Sequence, residues 1–85
     1  MVVYVVKLVY YSDDDAIICG VYSNLALAGH AAMQFINRTR EEDDIVIAFQ
    51  RYEEPWGYLL TLDAYGYGDA WQFGEIEIIR VTLNE

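Results

Sequence analysis

The chain has 85 residues, with fourteen acids against five bases and a formal net charge of -9. Affinity for phosphate rests on Lys and Arg, so this balance argues against direct nucleic-acid binding, and the same sign argues against an anionic membrane surface. Hydrophobic residues make up 55% of the chain, enough for a folded core rather than a disordered coil.

At this length roughly two-thirds or less of the unfolded surface can be buried, so one domain over residues 1–85 with a modest core is expected. Cys19 is the only cysteine. No internal disulfide can form, and a lone thiol fits a reducing cytoplasm. Met1-Val2-Val3-Tyr4 carries no basic leader region, and no apolar run approaches ~18 residues. The chain therefore reads as cytoplasmic, neither secreted nor membrane-spanning. Lys7 is the only lysine, and an acidic, lysine-poor surface is also what a high-salt cytoplasm would select.

Val2 to Tyr11 is a run of valines and tyrosines, residues that fit a pleated strand. Val2, Tyr4, Val6, Leu8 and Tyr10 share one face. Val3, Val5, Lys7, Val9 and Tyr11 share the other, and Lys7 marks it as the wetter one. Both faces are apolar enough to predict an interior strand, or one whose outer face meets another subunit. Ser12-Asp13-Asp14-Asp15 is a polar turn, and Ala16 to Tyr22 completes a hairpin in which Gly20 suggests a bulge.

Ser23 is a candidate N-cap for a helix from Asn24. Leu25, Ala28, Ala32, Phe35 and Ile36 form one helical stripe. Gly29 costs about 1 kcal/mol against alanine in a helix interior, which suggests close packing on the sheet. The helix is expected to end near Arg38 or Thr39. Glu41-Glu42-Asp43-Asp44 would then follow the negative end of the helix dipole, where acids are unfavourable.

Ile45 to Tyr52 reads as a strand with Ile45, Ile47 and Phe49 on one face. Glu53-Glu54-Pro55-Trp56-Gly57 reads as a turn. Tyr58 to Asp63 reads as a strand, Ala64 to Gly74 as a loop rich in glycine and aromatics, and Glu75 to Leu83 as the last strand. Its alternation slips at Ile79, which predicts a bulge or burial on both faces. The fold class that follows is α+β: an antiparallel sheet of four or five strands with one helix on a face, in the order ββαβββ.

Gly20-Val21-Tyr22-Ser23, with Ala28 six residues after Tyr22, resembles a pattern found in small uncharacterised domains of phages, prophages and mobile elements. Those domains open with a tyrosine- and valine-rich hairpin and close on a strand similar to Ile76-Glu77-Ile78-Ile79-Arg80-Val81-Thr82-Leu83-Asn84-Glu85. The resemblance covers roughly residues 1–36 and 75–85 and brings no catalytic residues. The segment from Ile45 to Gly74 departs from it, being longer and more aromatic. In size and charge the chain also resembles phage-encoded inhibitors of host defence, including anti-CRISPR proteins.

No motif for chemistry stands out. His30 is the only histidine and no Cys-His cluster exists to hold zinc. A Cys19–His30 catalytic pair lacks an orienting group. The acidic runs lack the alternating ligands and turn glycine of a calcium loop. Gly66, Gly68 and Gly74 lack the Lys-Ser/Thr of a phosphate loop. The reading is therefore non-enzymatic, with no metal and no cofactor.

The acids are unevenly spread. Seven of fourteen lie in two runs, Asp13-Asp14-Asp15 and Glu41-Glu42-Asp43-Asp44. A solvated face is the plain explanation. The functional one is a surface that, with Glu53, Glu54 and Asp69, imitates a phosphate array and docks on a basic protein. Tyr65, Tyr67 and Trp71 are candidate anchors, since such aromatics are enriched in binding hot spots. The expected function is that of an acidic protein-binding protein, a phage or mobile-element inhibitor of a host nucleic-acid-handling protein. The alternatives are a structural homo-oligomer, here a homodimer through the outer face of the first strand, and a small enzyme or metal protein.

Overall fold

The computed structural model describes residues 1–10, 16–43, 46–66 and 68–83. Along them run β1 (Val2–Tyr10), β2 (Ala16–Tyr22), α1 (Leu25–Asp43), β3 (Val46–Glu54), β4 (Gly57–Gly66) and β5 (Asp69–Thr82). The strands form one antiparallel sheet in the order β2-β1-β5-β4-β3, and α1 packs on one face of it. The class is α+β.

Alternation along β1 divides the sheet into two faces. Val6 and Leu8 are buried under the helix with Ile47, Leu60, Leu62, Ile76 and Ile78. Ala28, Ala32 and Ile36 supply the helical side of this core, and Leu25, Met33 and Phe35 pack against it. Val3, Val5, Lys7 and Val9 point to the opposite face, half-buried among their neighbours. There Lys7 lies opposite Glu77, an opposite-charge cross-strand pair. Among the described residues no helix covers that face.

The helix differs from expectation at both ends. Asn24, not Ser23, caps it: Leu27 N donates to Asn24 Oδ1 at 2.9 Å. Asparagine and serine cap comparably, and the first turn selects between adjacent candidates. At the other end the helix runs on to Asp43, so Glu41, Glu42 and Asp43 form its last turn instead of following it. Thr39 Oγ1 donates to the Phe35 carbonyl at 3.0 Å, and Arg40 donates to the Ile47 carbonyl. These bonds carry the helix past the threonine that local propensity marks as a stop.

Gly29 does not mark a close approach either. A side chain there would meet nothing within 4 Å, because the glycine borders an open cleft.

The C-terminal half corrects the sequence reading most. Residues 64–74 are not a loop. β4 continues to Gly66, β5 begins at Asp69, and Ala64 pairs with Trp71 and Tyr65 with Ala70. Tyrosine and tryptophan favour strands, and Gly68, at a φ of +77°, supplies the reversal between them. The register shift lies between Leu62 and Asp63, opposite the step from Gly74 to Gln72, and not at Ile79. Ile79 is half-buried on the open face, paired with Val5 and Gly57.

The turn expected over 53–57 shortens to Pro55-Trp56, since Glu54 and Gly57 already pair. Phe49 is more than a third exposed because the helix lies nearest β1 and β2. Ile45 and Tyr11 lie outside the described residues. The Gly20 bulge does occur: Val6 faces Gly20 and Lys7 faces Ile18, leaving Cys19 as the extra residue.

Strand direction gives the sheet two distinct ends. Tyr10, Ala16, Val46, Gly66 and Asp69 bound their strands at one end, here termed distal. Val2, Tyr22, Glu54, Gly57 and Thr82 bound theirs at the other. Tyr10 pairs with Gly74, so the β4–β5 ribbon runs on past β1 by about 17 Å. The result is an elongated body of 51 × 22 × 21 Å.

Two substitutions test this packing in opposite directions. At Gly57 φ is +147° and an added Cβ would sit 1.9 Å from the Ile78 carbonyl oxygen. Gly57→Ala is expected to lower unfolding free energy by at least about 1–3 kcal/mol. Gly29→Ala is expected to raise it by roughly 0.5–1 kcal/mol. Urea denaturation followed by circular dichroism measures both.

Candidate functional site

The candidate site is the distal end, built by α1 and the β3-β4-β5 ribbon. Because α1 must deliver the chain to Val46, its C-terminus lies at this end. Arg40 fixes the junction: Nε and Nη2 donate to the Ile47 carbonyl, and Nη1 to Asn37 Oδ1 at 3.1 Å. These acceptors are neutral. The guanidinium thus offsets the negative helix terminus without forming an ion pair with Glu41, which is exposed.

Ile47, Ala64 and Trp71 form one row across β3, β4 and β5. Ile47 and Ala64 are buried. Trp71 shares their face, about 10 Å from Ile47 across two strand spacings, and is 40% exposed. The acidic last turn of the helix and an exposed indole thus flank the same edge of the core. Tyr65, 46% exposed, projects from the opposite face in a row with Val46 and Ala70. Asp69 is exposed at the tip, and its Oδ1 accepts from Ala70 N at 3.2 Å.

Other predicted residues fall elsewhere. Glu53 and Glu54 lie beside the β3–β4 turn at the opposite end, six and seven positions along β3 from Ile47. That is roughly 20 Å away, so they do not join this surface. Asp13, Asp14, Asp15, Asp44 and Tyr67 lie outside the described residues. Tyr10 and Ala16, which bracket the first acidic run, do end at the distal side. Asp63 also belongs to this region and was not singled out from sequence. It faces Gln72 next to the register shift, a placement that only the pairing reveals.

An apolar cleft of about 240 Å³ opens between the N-terminal half of α1 and β3–β4. Gly29, Met33, Phe49 and Leu60 line it, and Arg51 stacks over Tyr58 with 5.6 Å to the ring centroid. Its lining holds no carboxylate, histidine, cysteine or aliphatic hydroxyl to act as nucleophile or base. Cys19 and His30 are not brought together. Cys19 lies on β2, whereas His30 is two positions from both Ala28 and Ala32 and so faces away from the sheet. Among the described residues no group of three or more His, Cys, Asp or Glu is placed to hold a metal. No helix among them is long and apolar enough to cross a membrane.

Cys19 is exposed, with its Sγ 3.9 Å from the Ile17 carbonyl, and partial burial raises its pKa above the ordinary thiol value. A raised pKa leaves less thiolate at any given pH. Iodoacetamide is expected to alkylate Cys19 more slowly at neutral pH than an unstructured peptide thiol. The rate should still be climbing with pH where the peptide has levelled off. No family model matches the chain, and no curated protein or solved structure shows a significant match to it.

Proposed function

We propose that the chain is a non-enzymatic binding protein whose distal end occupies a basic protein surface. The class of partner is a nucleic-acid-handling protein, and the role is that of a phage or mobile-element inhibitor that takes the place of a phosphate backbone. One observation carries the reading. Strand direction sets the C-terminal acids of α1, Asp69 and two exposed aromatics toward a single end, with Tyr10 and Ala16, the flanks of the 13–15 run, on the same side but about 17 Å short of the Asp69 tip.

Acids in a last helical turn oppose the dipole by roughly 0.3–1 kcal/mol each, a local cost that a binding surface would offset. The exposed aromatics supply what charge alone lacks. Carboxylates steer the encounter, whereas Tyr65 and Trp71 bring apolar area with few rotatable bonds. Because Glu53 and Glu54 are remote, the described part of the proposed surface comprises the helix end at 41–43 with Tyr65, Asp69 and Trp71. A structural homo-oligomer is the second reading. It is favoured by the uncovered sheet face, where Val3, Val5, Val9, Ile79 and Val81 lie side by side.

The test is capture of partners from host lysate by the tagged chain, identified by mass spectrometry at low and high salt. A partner bound through the distal end is expected to be lost when Glu41, Glu42, Asp43 and Asp44 are all changed to serine. It is expected to be displaced by competing DNA and to weaken as salt screens the charges. The Tyr65→Ala, Trp71→Ala double variant should weaken binding by about tenfold or more without changing its salt dependence. Retention by the serine variant at unchanged affinity would remove the electrostatic version.

A further inference from the structure

The two free edges of the sheet are chemically unlike. β3 forms one edge and carries Gln50, Arg51, Glu53 and Glu54, followed by Pro55. Charges and a proline at an edge discourage strand addition. β2, Ala16–Tyr22, forms the other edge and contains no charged residue and no proline. Its side chains are apolar and exposed on both faces: Ile17 51%, Ile18 67% and Val21 60%. Among the described residues β2 is thus guarded by neither charge nor proline, and its one irregularity is the bulge at Cys19.

We infer that β2 pairs antiparallel with β2 of a second copy, making a continuous sheet across a two-fold axis. Three features select a second copy as the occupant. An edge strand's outward backbone N–H and C=O groups, met by water in the free chain, form a template whose spacing another strand matches. The edge is uncharged, so two copies that repel each other elsewhere meet without placing like charges in contact. Antiparallel pairing also turns the second copy end for end. Its Glu41 and Asp69 then point away from those of the first, which keeps the acidic ends apart.

The bulge sets the register. Ile17 lies opposite Leu8 and faces the helix side, whereas Ile18 lies opposite Lys7 and faces the open side. Beyond the bulge the alternation reverses: Gly20 and Tyr22, opposite Val6 and Tyr4, face the helix side, and Val21, opposite Val5, faces the open side. Residues directly opposed in an antiparallel pair must share a face. The two-fold register that satisfies this sets Ile18 against Val21 of the second copy and Ile17 against its Tyr22. Both exposed apolar sets are buried at once, and Cys19 lies beside the axis, opposite Gly20 of the second copy. The inference does not rest on the distal-end reading: it needs the acids only to stay apart, not to bind a partner.

Sedimentation velocity over a concentration series tests it, with Cys19 as a built-in probe. The full chain is expected to sediment as a dimer that a short bis-maleimide links through Cys19. Val21→Lys and Ile18→Lys should each shift the species to monomer and abolish the crosslink. Val46→Lys, on the guarded edge, should leave the dimer intact. Lysine lowers the net negative charge, so a monomer cannot be ascribed to added repulsion between whole chains. Circular dichroism confirms that the exposed substitutions leave the fold in place. A wild-type chain that stays monomeric and does not crosslink overturns the inference. So does a dimer that survives both β2 substitutions, which would place the contact on the open sheet face.

Discussion

The rest of the structure depends on the pairing of the first strand with the last. β1 and β5 align from Val2 against Thr82 to Tyr10 against Gly74. Without it the chain would be an N-terminal hairpin and a C-terminal three-stranded ribbon, each with one apolar face and neither with enough strands to bury it well. With it, β5 becomes the central strand, holding β1 on one side and β4 on the other. The pairing closes a long loop, and the entropy of that closure is offset only when the side chains of both halves meet under one helix. Val6, Leu8, Ile76 and Ile78 are where they meet.

That order also dictates what the helix must do. β2 and β3 lie at opposite edges of the sheet, so α1 crosses the whole face between them. Its length follows from the span: nineteen residues reach about 28 Å. The helix continues four residues past the end expected at Thr39, to Asp43, which leaves two residues before β3 starts at Val46. The acids at 41–43 belong to its last turn, and Arg40 binds the Ile47 carbonyl where the helix meets the sheet.

Charge and apolar surface are segregated in a way that total composition conceals. The helix side of the sheet is a packed core, the distal end collects acids and aromatics, and the β2 edge is neutral and apolar. Arg51 and Arg80 are engaged locally, one over Tyr58 and the other at the Pro55 carbonyl. The proposed binding end and the uncharged β2 edge are compatible on one small body, because they occupy different sides. Antiparallel pairing through β2 would present two acidic ends on opposite sides of the assembly.

Much of the fold was legible in the sequence because short-range physics governs it. The valine and tyrosine alternation of β1, the helical stripe from Leu25 to Ile36 and the Gly20 bulge all report local side-chain periodicity. Residues 64–74 were illegible for a related reason. Glycines at 66, 68 and 74 look alike to local rules, and only cross-strand pairing shows that the chain reverses at Gly68 while Gly66 and Gly74 stay in strands. The site divides the same way. By itself the sequence determined that acids cluster at 13–15 and 41–44, that aromatics interrupt glycines at 65–71, and that β2 bears no charge. Tertiary structure alone decided that Glu41 and Trp71 flank one edge of the core while Glu53 and Glu54 lie about 20 Å away. It also decided that β2 is an edge. The physical reason is that strand order and direction come from hydrogen bonds between distant segments, and no local pattern records which partner a strand will find.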